Sequence, residues 1–110
     1  MDSVAIIMCT WKRPERFRKT LDQLIAQTNK NFVFYVWNNN VNICDEINLI
    51  YNMYKNKLSI NIEHSNENVG GFGRFLLAKK IMNMHDKIID RFERRLTYRT
   101  VHLLWALVRG

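Results

Sequence analysis

A chain of 110 residues with 47% hydrophobic and 25% charged residues has the composition of one ordinary globular domain, which argues against overall disorder and against more than one domain. The formal net charge of +7 favours an anionic partner: nucleotide phosphate, nucleic acid or an acidic membrane face. Cys9 and Cys44 are the only cysteines and have no suitably spaced partner, which excludes a zinc motif and suits a reducing cytosol, with Cys9 expected as a buried thiol.

Residues 4–9 are a continuous apolar run rich in β-branched residues, the pattern of a strand buried on both faces. The opening "MDSVAIIMCTW" has no basic region and too short an apolar run for a signal peptide, and "LLWALV" near the other end is too short to span a bilayer. Pro14 opens a helix, where its missing N–H costs nothing, and Phe17, Leu21, Leu24 and Ile25 recur at helical spacing. "NFVFYVW" is a second apolar strand, closed by the turn-forming "NNN". Ile43, Ile47, Ile50 and Tyr54 line a second helix, with Asp45 and Glu46 in its favourable first turn. "LSINIEH" alternates as a third strand, "RFLLAKKIMNM" has the spacing of a third helix, and "KII" before Asp90 begins a fourth strand. Strands alternating with helices predict an α/β fold with a parallel sheet flanked by helices and ligand-bearing loops beyond the carboxyl ends of the strands.

Residues 91–110 differ in composition. The first 90 residues hold eight lysines and thirteen asparagines, whereas the last twenty hold neither and draw all five basic residues from arginine. The expected division is therefore a domain over residues 1–90 and a basic tail over 91–110, either solvated or lying as an amphipathic helix against a membrane surface.

Three loops follow the strands. In "TWKRP", Thr10 offers a hydroxyl, Trp11 a flat face for a base, and Lys12 and Arg13 charge for phosphate, although a solvated basic turn with Trp11 as core filler explains the same residues. In "ENVGGFGRF", Gly70, Gly71 and Gly73 allow close backbone approach and the helix start offers N–H groups to phosphate, although a glycine-rich connection needed only for geometry also fits. The same stretch begins like the strand motif of an RNA-recognition module, but Arg74 interrupts it and no alternating aromatics follow. His64, His85 and His102 have no paired spacing and are expected to be structural or surface residues.

Taken together, Thr10-Trp11-Lys12-Arg13-Pro14, Ala26-Gln27-Thr28, Asn38-Asn39-Asn40 and Asn68-Val69-Gly70-Gly71-Phe72-Gly73-Arg74 fall in the order and at the intervals of the family-two glycosyltransferases, which the chain resembles over residues 3 to 90. The resemblance implies the nucleotide-binding half of a GT-A, Rossmann-like fold, with the strand order starting 3-2-1. It also implies a nucleotide-sugar donor, a uridine nucleotide, across the loops. Trp11 would stack on the base, Thr10 would hydrogen-bond to the nucleoside, Asn38 would accept the base N–H, and Arg74 would face the diphosphate, with Arg13, Asn68, Gly70 and Gly71 around them. Asp90 would stand for the Asp-x-Asp-like motif that holds a divalent metal, Mg or Mn, but Arg91 and Phe92 follow it. The acceptor-binding half of the family has no counterpart in these residues, so the expectation is a truncated, cytoplasmic glycosyltransferase-like chain. It binds a donor for an unnamed acceptor glycan without turning it over, and RNA binding by a basic, aromatic surface is the alternative.

Overall fold

The computed structural model describes residues 4–28, 31–69 and 73–90. Over these residues the chain alternates strand β1 (Val4–Thr10), helix α1 (Pro14–Ala26), β2 (Phe32–Asn38), a 3₁₀ turn (Val41–Ile43), α2 (Cys44–Tyr54), β3 (Ile60–His64), α3 (Gly73–Ile81) and β4 (Lys87–Asp90). The four strands form one sheet in the order β3-β2-β1-β4, and every pairing is parallel. This is the expected α/β architecture, a Rossmann-like half-fold, with the predicted 3-2-1 start.

β1 is central and accordingly apolar on both sides. Its alternation sends Ile6 and Met8 to one face and Ala5 and Ile7 to the other. On the first face, Phe17, Leu21 and Leu24 of α1 and Ile47 and Tyr54 of α2 close a core with Phe34 and Val36 of β2. The rings of Phe17 and Phe34 stack with centroids 6.3 Å apart, and neither residue has any solvent exposure. The Tyr54 hydroxyl donates to Asp22 Oδ1, tying α2 to α1 through polar groups at the rim of this core. On the second face, Leu77 and Ile81 of α3 cover Ala5, Ile7, Tyr35 and Ile88. Here the Tyr35 hydroxyl shares a 2.7 Å hydrogen bond with His85 Nε2, and burial pushes that hydroxyl above its ordinary value of 10.0.

Several boundaries differ from the pattern of the sequence. Pro14 is the first residue of α1 as expected, because its absent N–H has no helical acceptor to lose. β3 starts at Ile60 rather than Leu58, because the amides of Lys57 and Leu58 both donate to the Tyr54 carbonyl and belong to the turn that ends α2. α3 stops at Ile81, where Met84 N–H closes a turn on the Ile81 carbonyl. Cys9 is half-buried rather than buried; alternation puts it on the same face of β1 as Ala5 and Ile7, one residue before the strand ends at Thr10. The "GGFGRF" segment contributes Gly73, Arg74 and Phe75 to a helix, which removes the strand that the RNA-recognition motif requires. Among the described residues no helix is long and apolar enough to cross a membrane. The tail of residues 91–110 lies outside the described residues.

Candidate functional site

The strand order fixes where a site can form. The chain runs outward from β1 through β2 to β3, then crosses to the opposite side of β1 for β4, so the order reverses beside β1. In doubly wound sheets the loops beyond the carboxyl ends separate at such a reversal and leave a crevice. The loop after β1 is "TWKRP", and it lies on that edge.

Within that loop Thr10 is buried, whereas Trp11 is 48% exposed. Trp11 is therefore no core filler. The Lys12 ammonium stands 4.4 Å from the centre of its ring, an arrangement in which the cation is drawn to the negative face of the indole. Arg13 is exposed and precedes α1, and its carbonyl accepts from Arg16 N–H at 3.0 Å to close the first turn of the helix.

The three asparagines after β2 organise the edge. Asn38 is wholly buried, and its amide orientation is dictated by backbone groups of Asn40: Oδ1 accepts from Asn40 N–H and Nδ2 donates to Asn40 C=O, both at 3.0 Å. A buried amide without partners would cost about 1–3 kcal/mol, so a turn that satisfies both ends is what permits asparagine here. Nδ2 also donates to His64 Nδ1 at 3.1 Å and touches the Cys44 sulfur at 3.6 Å. His64 sits opposite Asn38 in the β2–β3 register, and its other ring nitrogen lies 2.9 Å from Asn48 Oδ1 on α2. The Asn38 carbonyl accepts from Ser65 N–H at 2.8 Å, which starts the loop after β3.

Asn39 and Asn40 reach the other loops. Asn39 N–H donates to the Thr10 carbonyl at 2.8 Å, and Asn39 Oδ1 accepts from Trp37 Nε1 at 2.8 Å and from Val69 N–H at 3.3 Å. Asn40 Nδ2 donates to the Trp11 carbonyl at 2.8 Å, while its Oδ1 accepts from Asn42 N–H at 3.0 Å and caps the 3₁₀ turn. One turn thus holds the loops after β1, β2 and β3 together.

Of the sequence-predicted site residues, Thr10, Trp11, Arg13 and Asn38 stand on or beside this edge. Asn68 is exposed in the loop after β3, next to the anchored Val69. Arg74 is half-buried in the first turn of α3, with its guanidinium 5.8 Å from the Phe75 ring. Gly70 and Gly71 lie outside the described residues, as does the side chain of Asp90. The backbone of Asp90 pairs with Ile7, three residues before the end of β1 at Thr10. Among the described residues no three histidine, cysteine or acidic side chains gather as a metal site.

Sequence reasoning passed over Asn39, Asn40 and the role of His64. A parallel register would have found His64, since aligning the ends of the second and third strands puts it against Asn38. No family model matches the chain, and no curated protein does.

Proposed function

We propose that this carboxyl-end edge binds a nucleoside diphosphate or its sugar conjugate, a UDP-sugar, in the manner of a glycosyltransferase donor site. The observation that carries the reading is Trp11: a large aromatic face left half exposed at the end of the central strand, beside the reversal of strand order. An indole in that position offers a stacking surface for a base. Lys12 and Arg13 supply positive charge next to it for phosphate, in keeping with the net charge of +7. By the resemblance Thr10 would contact the nucleoside and Asn68, Gly70, Gly71 and Arg74 would face the diphosphate, whereas Asn38, wholly buried with its amide satisfied by Asn40 and His64, holds the loops in place rather than the base.

Binding and transfer separate in this reading. Asp90 alone stands for the metal-holding carboxylates, and divalent ions of the Mg and Mn type take several oxygen ligands. No candidate base for an acceptor hydroxyl emerges among the described residues of the edge, so the proposed activity is donor binding.

Titration with UDP, followed by tryptophan fluorescence, tests the reading. The expected result is a saturable change that Trp11→Ala weakens by about 1–3 kcal/mol, the usual worth of an aromatic–base stack. A chain that ignores UDP and UDP-sugars but binds single-stranded RNA tightly would reverse it.

A further inference from the structure

Asn40 has no assigned part in ligand binding, yet its contacts bear on the residue that carries the proposed site. Two successive carbonyl groups, those of Thr10 and Trp11, are gripped by two successive residues of the neighbouring turn. Asn39 N–H holds the first at 2.8 Å and Asn40 Nδ2 holds the second at 2.8 Å. These carbonyls belong to the two peptide planes that flank the Trp11 Cα. Fixing both planes fixes the two soft dihedral angles of Trp11, and with them the direction of its Cα–Cβ bond.

The grip itself is rigid. The backbone N–H and C=O of Asn40 are both held by the wholly buried Asn38 amide, and Asn40 Oδ1 is committed to Asn42 N–H. The Asn40 side chain therefore springs from a pinned backbone, and its amide is oriented at one end by the cap and at the other by Trp11. Trp11 is 48% exposed, so its backbone carries much of the burden of aiming the ring.

We propose that Asn40 is a positioning residue that aims Trp11 at the base of the bound nucleotide. The inference rests on the donor-site reading above. Its physical content is preorganisation: a stacking face held in place before binding loses less freedom on binding.

The test uses the two functions of the side chain separately. Serine caps helical turns about as well as asparagine but has no amide to reach the Trp11 carbonyl. Asn40→Ser should therefore lose less resistance to urea than Asn40→Ala, which loses the cap as well as the bond to Trp11. In Asn40→Ser the backbone heteronuclear NOE of Trp11 and Lys12 should fall, and UDP affinity should drop about three- to tenfold, the worth of one hydrogen bond. In the Trp11→Ala background the same substitution should cost no further affinity, which a merely structural role would not predict. Wild-type NOE values in Asn40→Ser would overturn the proposal, as would an undiminished affinity for UDP. A wild-type chain that does not bind UDP removes the donor-site reading instead, and the NOE comparison then decides on Asn40 alone.

Discussion

A methyl group on Gly73 would sit 2.3 Å from Cδ1 of Trp37 and 2.6 Å from its Nε1. The first residue of α3 therefore rests directly against the face of the indole, closer than any side chain allows. Trp37 cannot easily retreat, because its Nε1 donates to Asn39 Oδ1 at 2.8 Å. The glycine that resembled part of a phosphate cradle is required here for the contact between a helix and a strand.

Gly73→Ala should accordingly destabilise the domain by overpacking, by about 1–3 kcal/mol. Urea denaturation of the variant measures it. Trimming the indole in Trp37→Leu should absorb much of that loss, so the double variant should fall well short of the sum of the single losses. Additive losses would show that the clash is relieved elsewhere.

Asn38→Ala removes an amide that satisfies both the N–H and the C=O of Asn40 and donates to His64. The expected cost is about 1–3 kcal/mol in unfolding free energy, because the partners stay behind in a buried turn. A loss below half a kcal/mol, measured by the same denaturation, would mean that water replaces the amide without penalty.

The orientation of Asn38 also dictates a proton position. Its Nδ2 can only donate, so His64 Nδ1 must accept, and the neutral ring carries its hydrogen on Nε2, from which it donates to Asn48 Oδ1. Long-range proton–nitrogen NMR correlation on the imidazole at mildly alkaline pH should report that tautomer. In Asn38→Asp the carboxylate can only accept, and the hydrogen should move to Nδ1. Finding the Nδ1–H form in the wild-type chain would refute the assignment.

Tyr35 predicts an alkaline response. Burial raises its hydroxyl above 10.0, so in a pH window beginning near that value the folded chain keeps a proton that the unfolded chain has released. Folding is then penalised as pH rises, and stability should fall through this window. Tyr35→Phe should show a shallower decline between pH 9 and pH 11 than the wild type, although it begins lower at neutral pH through loss of the His85 hydrogen bond. Parallel declines in the two proteins would show that Tyr35 contributes nothing to the slope.

The fold was legible because its signals are local. The apolar run of β1, Pro14 at the start of α1 and the four-residue spacing of Leu77 and Ile81 each declare an element without reference to the rest of the chain. Parallel pairing followed from the alternation of strands and helices. The edge was less legible, since its polar contacts join residues distant in sequence. Asn40 meets Trp11 across 29 positions and Asn39 meets Val69 across 30, and neither pair leaves a mark on local pattern. Trp11 alone gave no sign of whether it filled the core or faced solvent. That depended on how β1 ended, which depends on the turn after β2.

The central place of β1 has a consequence for synthesis. One side of the strand is matched by β2 early, with Val4 opposite Phe32. The other side waits for Lys87, which arrives 83 residues after Val4. At a translation rate of roughly 5–20 residues per second, the nascent chain holds the apolar segment "AIIM" with one open backbone edge for about 4–17 s. During that time it presents a row of unpaired amide and carbonyl groups that any passing strand can join. Released chains that end before residue 87 should therefore be captured by holdase chaperones far more readily than the 110-residue chain, even though they already contain three of the four strands.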